Sequence, residues 1–124
     1  MPNDVTIYVV DDDDAVRDAI RVLLECEGFH IVALALCEDF LRHSHREGRN
    51  CLVLDVHMPG MGGLELLDRM RRDNVTMPTV LMTGRPDAAI LSAAERAGVA
   101  LLQKPFAGDE LLGSINQTLR RQPD

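Results

Sequence analysis

The strongest constraint on the fold of this chain is a set of apolar runs that do not alternate with polar residues. Val5 to Val10, Cys51 to Leu54 and Thr79 to Met82 are near-continuous in bulky side chains, and His30 to Leu36 and Val99 to Gln103 are lesser versions of the same pattern. Successive side chains of a strand point to opposite faces, so a strand that does not alternate is covered on both. Segments with helical spacing lie between the runs. Asp13 to Glu27 carries Val16, Ile20, Leu23 and Leu24 on one face and stops at Gly28. A short helix from about Glu38 to His45 has acids in its first turn and Phe40 and Leu41 inward; Gly63 to about Arg72 supplies Leu64, Leu67 and Met70. Pro86 opens an alanine-rich helix that closes near Gly98, and about Asp109 to Arg121 buries Leu111, Leu112, Ile115 and Leu119. Each parallel crossover needs a helix. Five strand and helix alternations therefore predict an α/β fold, a doubly wound five-stranded parallel sheet with five helices distributed over both faces.

In such sheets ligands sit outside the carboxyl ends of the strands, and the polar residues of this chain gather there. The first run ends in Asp11 and Asp12, and the third in Asp55, followed by the Pro/Gly loop Val56-His57-Met58-Pro59-Gly60-Met61-Gly62-Gly63. The fourth run ends in Thr83, and the fifth leads through Gln103 to Lys104 and Pro105. Three carboxylates at one rim repel and require a counter-ion. Hard oxygen ligands on an open rim suit Mg²⁺, and the rim has no thiolate or imidazole set for a softer metal. Lys104 is a point charge suited to phosphate and Thr83 a hydroxyl able to donate to an anion. The set reads as phosphoryl transfer to an aspartate, with Asp13 and Asp14 as acids of a helix start.

Composition narrows the alternatives. A net charge of -7 with no basic stripe argues against direct nucleic-acid contact by this domain. No apolar stretch is long enough to span a bilayer and no signal-peptide pattern opens the chain, so the expectation is a cytoplasmic protein with no membrane contact. Cys26, Cys37 and Cys51 lack a C-x-x-C pair and are expected to be buried, reduced structural thiols. His43 and His45, two apart on a helix, do not share a face for a metal. No phosphate-binding G-x-x-x-x-G-K-[ST] motif is present.

Taken together, Asp11 and Asp12 after the first strand, Asp55 before Met58 to Gly63, Thr83-Gly84 after the fourth strand and Lys104-Pro105-Phe106 after the fifth resemble the receiver domain of two-component response regulators. The resemblance covers Val5 to about Leu119. It implies a flavodoxin-like strand order 2-1-3-4-5 and a single receiver domain over 1–124, with its core at about 5–119 and 120–124 as a terminus or the start of a linker. It also implies that Asp55 accepts a phosphoryl group from a sensor histidine kinase or phosphotransfer protein. Asp12, Asp55 and the His57 backbone carbonyl would ligate Mg²⁺, with Asp11 acting through water. Lys104 would pair with Asp55 and then with the phosphoryl group, and Thr83 would move toward it; the Lys104-Pro105 peptide would be cis. Such a domain is not an enzyme acting on a separate substrate. Thr83-Gly84 with Lys104-Pro105-Phe106 is similar to receivers fused to DNA-binding effectors, and the face of the fourth helix, fifth strand and fifth helix would serve a downstream partner or a homodimer.

Two features depart from the family pattern. Leu101 stands where an aromatic ring commonly swings with the threonine. The second is the loop Thr83-Gly84-Arg85-Pro86-Asp87, where proline stiffens φ beside a residue that faces the site; His57 and Arg85, two residues beyond Asp55 and Thr83, are expected to tune how water reaches the acyl phosphate. The competing readings are a phosphorylation-independent pseudo-receiver, for which only Leu101 speaks, and an aspartyl-phosphate phosphohydrolase. The latter needs an acid two residues after the nucleophile, where this chain has His57.

Overall fold

Thr6–Val10 forms β1, followed by α1 (Asp14–Cys26), β2 (His30–Leu34), α2 (Cys37–Arg42), β3 (Asn50–Asp55), α3 (Gly63–Arg72), β4 (Thr79–Thr83), α4 (Ala88–Ala97), β5 (Ala100–Gln103) and α5 (Gly108–Arg121). A computed structural model describes residues 4–43 and 48–121 of the protein. The five strands are parallel in the order β2-β1-β3-β4-β5, the architecture expected from the runs.

Every residue of β1 and β4 is buried, as is all of β3 after Asn50, and the period of two explains how. Ile7, Val9, Cys51, Val53, Val80 and Met82 pack with Ile20 and Leu24 of α1 and with Leu111, Ile115 and Leu119 of α5. Tyr8, Val10, Leu52, Leu54 and Leu81 pack on the other face with Phe40, Leu66, Met70, Ile90 and Ala94 from α2, α3 and α4. Each strand thus feeds two cores, which is why its sequence shows no alternation. The edge strands β2 and β5 are only partly covered.

Local boundaries moved for identifiable reasons. The second strand ends at Leu34, two residues early, because Asp11 N–H takes the Leu34 carbonyl at 3.1 Å and Leu36 becomes the N-cap of α2. Asp13 stands outside α1 as its N-cap, its carboxylate accepting from Val16 N–H at 3.1 Å. Asp87, and not Pro86, starts α4, because its carboxylate accepts from Ile90 N–H at 2.8 Å; Gly98 ends that helix at φ 69°. In α3 the fully buried side chain is Leu66, in line with Met70, while Leu64 and Leu67 are half-buried. The helix α2 ends at Arg42, short of the expected His45: His43 is already its extended C-cap, with its ring 5.8 Å from that of Tyr8, and His45 lies outside the described residues.

The cysteines divide. Cys37 and Cys51 are buried and free. Burial pushes both thiols up to about 12, helped at Cys37 by the negative charges of Glu38, Asp55 and Glu65. Cys26 is exposed, contrary to expectation. Ile20 and Leu24 hold the inner stripe of α1, and two further residues at about 100° each turn Cys26 away from it.

Candidate functional site

Parallel pairing brings the ends of four strands to one rim. Val10 is level with Leu54, Asp55 with Met82, and Thr83 with Gln103. Asp11 therefore leaves β1 beside Asp55, the last residue of β3; Thr83 ends β4, and Lys104 follows β5. The Lys104-Pro105 peptide is cis. Asp11 and Thr83 are fully buried and Asp55 is 6% exposed, whereas Asp12 faces solvent. One carboxylate oxygen from each of Asp11, Asp12 and Asp55 lies within 4.8 Å of the others.

Asp11 is the most heavily bonded member of the cluster. Its Oδ1 accepts from Asp13 N–H at 2.9 Å, its Oδ2 from Lys104 Nζ at 2.7 Å, and its backbone carbonyl from Arg17 Nη1 at 2.7 Å. The Lys104 ammonium also stands 3.5 Å from Asp55 Oδ1. The shorter of the two contacts is to Asp11, whose fully buried carboxylate has no water to replace a missing donor. The backbone N–H of His57 lies close enough to the Asp55 carboxylate to favour its charged form.

Burial raises the Asp55 pKa above the ordinary carboxylate value, and the adjacent Asp11 charge raises it further; Lys104 and the His57 N–H oppose them without cancelling them. Burial works against the Lys104 charge, but its hydrogen bond to Asp11 and the charges of Asp11 and Asp55 outweigh that and hold its pKa above the ordinary lysine value. Three carboxylates and one ammonium leave two formal negative charges concentrated at an accessible rim. The donor set is oxygen only, with Asp12 open to solvent, and it fits a hard divalent cation.

The Thr83 carbonyl accepts from Lys104 N–H at 2.8 Å, tying β4 to the lysine, and its hydroxyl accepts from Arg85 N–H at 3.1 Å. His57 and Arg85 are exposed on the two loops that border the cluster. Leu101 pairs in register with Leu81 and packs half-buried against the core shared by α2, α3 and α4. Behind Asp55 the chain closes tightly: Gly63 N–H donates to the Val56 carbonyl at 2.9 Å, and a Cβ on Gly63 would lie 2.4 Å from the Asp55 carbonyl oxygen. Two participants escape sequence reasoning. Arg17 reads as a helix-surface cation and Glu38 as a first-turn acid, yet Arg17 reaches back to Asp11 and Glu38 Oε2 accepts from Met61 N–H at 3.3 Å. For Arg17 the sequence offered one signal, a cation placed one turn beyond four successive acids.

Comparison with known proteins agrees with this geometry. The family model described as "Response regulator receiver domain" matches residues 7–116. Transcriptional regulatory protein FixJ of Azorhizobium caulinodans is 34% identical over 125 residues, spanning 100% of this chain and 59% of that protein. FixJ of Bradyrhizobium diazoefficiens is 38% identical over 116 residues, spanning 93% of this chain and 57% of that protein. The chain thus covers less than two thirds of these relatives. Among solved structures, the response regulator StyR superposes with a TM-score of 0.86 at 38% identity over 94% of this chain and 59% of that one. The crystal structure of FixJ-N gives 0.87 at 28% identity over 98% of both chains.

A carboxyl group whose native pKa is raised holds its proton more tightly in the folded state, so its ionisation subtracts stability as pH rises from the unfolded value through the native one. Asp55→Asn should therefore raise Tm at neutral pH without added metal, by roughly 3–6 °C or about 1 kcal/mol for a domain of this size. The gain should shrink as pH is lowered through the raised native value toward the ordinary carboxylate range, because the native carboxyl then takes up its proton. Thermal unfolding of both proteins across pH checks the sign; a lower Tm for Asp55→Asn at neutral pH contradicts it.

Proposed function

The chain belongs to the response regulator receiver domain family, and from that premise we propose that Asp55 is its phosphoacceptor. Receivers work with a cognate histidine kinase or phosphotransfer system and catalyse only their own phosphorylation and dephosphorylation. The observation that carries the assignment is the placement of Asp55 within ion-pair distance of Lys104, inside the only group of three potential metal-ligating side chains among the described residues. The same complete set of acids and lysine disfavours the phosphorylation-independent pseudo-receiver.

In this reading an Asp55 carboxylate oxygen attacks the phosphorus of a phosphohistidine. The new O–P bond forms as the P–N bond breaks, and the electron pair leaves with the imidazole. Lys104 is already held between Asp11 and Asp55, and its charge meets the incoming phosphoryl oxygens without having to be recruited. Asp12, Asp55 and the His57 backbone carbonyl would hold Mg²⁺ directly and Asp11 through water; the ion supplies neutralisation of the carboxylates and of the transferring group. The Thr83 hydroxyl exchanges its bond to Arg85 N–H for one to a phosphoryl oxygen, which alters the β4–α4 loop. Attack of water on the acyl phosphate returns the free carboxylate.

The FixJ relatives are transcriptional regulatory proteins that extend well beyond the part matched here. By analogy we assign the output of this domain to an effector, attached or separate, and not to nucleic-acid contact by a surface of net charge -7. The α4, β5 and α5 face is the proposed partner or homodimer surface, supported by Leu91, which is 56% exposed on α4. We take residues 5–119 as the receiver core, with 120–124 as a terminus or linker start; 122–124 lie outside the described residues. No helix among the described residues is long and apolar enough to cross a membrane. We place the domain in the cytoplasm, a reading favoured by three free cysteines.

Incubation with Mg²⁺ and acetyl phosphate should give a single phosphoryl adduct by intact mass that is absent in Asp55→Asn. An adduct retained in Asp55→Asn, or none in the native chain, contradicts the assignment. His57 and Arg85 border the site with bulk and charge, and His57→Ala and Arg85→Ala should each change the decay rate of the phosphorylated protein several-fold. Unchanged decay in both removes their proposed role.

A further inference from the structure

We infer that Glu38, in the first turn of α2, is a positioning residue for the phosphoacceptor loop: its carboxylate holds that loop at Gly60 and Met61 and so sets the backbone that presents Asp55 and His57. The inference rests on the reading of Asp55 given above. A first-turn acid ordinarily serves the free N–H groups of its own helix. Leu36, the N-cap of α2, offers those donors no side-chain acceptor. Glu38 instead crosses to another element and takes Met61 N–H at 3.3 Å.

Two further features mark this contact as built into the loop. Gly60 has φ +71°, and a Cβ placed there would stand 2.6 Å from the same Glu38 Oε2. Only glycine lets the backbone adopt this turn and the carboxylate close on it together. The second oxygen, Oε1, is buried with no hydrogen-bond donor among the described residues. A space-filling side chain at this place would be better apolar, since burial of a polar atom without a partner is unfavourable. The geometry that leaves Oε1 without a donor is the one that puts Oε2 on the loop.

The loop is thereby fastened at both ends. Gly63 is locked against Val56 and the Asp55 carbonyl on the β3 side, and Gly60 and Met61 are held against Glu38 on the α2 side. Between these points run His57, Met58 and Pro59, and the His57 N–H is one of the groups that favour the charged Asp55 carboxylate. Releasing Glu38 frees one end of the segment from which that donor and the neighbouring carbonyl are presented. Groups that orient ligands in this way commonly influence metal affinity without touching the metal.

The experiment compares the native chain with Glu38→Gln, Glu38→Ala and Gly60→Ala. It reads the Kd for Mg²⁺ by calorimetry, amide hydrogen exchange over residues 57–61, and adduct formation from acetyl phosphate. Glu38→Ala should weaken Mg²⁺ binding by roughly 10-fold and speed exchange across the loop. Glu38→Gln keeps an acceptor oxygen for Met61 N–H and should stay within about twofold of native. Gly60→Ala attacks the same contact from the loop side, should also weaken Mg²⁺ binding, and keeps the idea testable if Glu38→Ala does not fold. Native Kd and native exchange in Glu38→Ala, whatever its Tm, overturn the inference, as does a native Kd in Gly60→Ala. Equal weakening in Gln and Ala variants also overturns it, because charge alone would then account for the effect. Failure of the native chain to take an adduct overturns the Asp55 reading and this inference together, whereas a native adduct with an unaltered Glu38→Ala loop overturns the latch alone.

Discussion

The hydrogen bond from Lys104 Nζ to Asp11 Oδ2, 2.7 Å long, is the interaction on which the rest of the site depends. It joins the end of β1 to the residue after β5, spanning the ends of β3 and β4 that lie between them in the sheet. Without it, buried Asp11 would be an uncompensated charge and its repulsion of Asp55 would have no internal answer. With it, each carboxylate oxygen of Asp11 carries a hydrogen bond, from Asp13 N–H and from Lys104, and its carbonyl accepts from Arg17. Asp55 keeps the longer contact at 3.5 Å. That asymmetry suits the proposed chemistry: the carboxylate that must react is less tightly bound than the one that must stay in place.

Much of this was legible in the residues because the fold exposes its logic at strand ends. Runs without alternation marked strands covered on both faces, and a parallel sheet then had to deliver Asp11, Asp55, Thr83 and Lys104 to one rim. What escaped the sequence depends on where a flexible side chain goes after its backbone is placed. Arg17 and Glu38 are ordinary helix residues by spacing, and nothing local distinguishes a guanidinium that bonds only Asp14 from one that also reaches the Asp11 carbonyl. Cys26 and Leu66 show the same limit for burial. A helical stripe is about 100° or more wide, and only packing decides which residues at its margins are covered.

In the proposed function the path from chemistry to output runs through β4 and β5. Thr83 is joined to Lys104 through its carbonyl and to Arg85 through its hydroxyl, so movement of either partner reaches the loop that leads into α4. Leu101 lies one strand further out, level with Leu81 and against the core that includes Ile90 and Ala94 of α4. An aliphatic side chain there can change rotamer against α4 but has no ring to stack and no hydroxyl to bond, so coupling at this position is by packing alone. On the opposite side of Asp55, the Glu38 contact ties α2 to the loop that follows Asp55. The acceptor is thus bordered by one segment poised to move and another that is fastened.

The central claim is that Asp55, and neither of the acids beside it, carries the phosphoryl group. Borohydride reduction of the phosphorylated protein converts an aspartyl phosphate to homoserine, and peptide mass spectrometry then locates the altered residue. Homoserine at position 55 alone is the predicted result; homoserine at Asp11 or Asp12, or intact aspartate at all three positions, would contradict it.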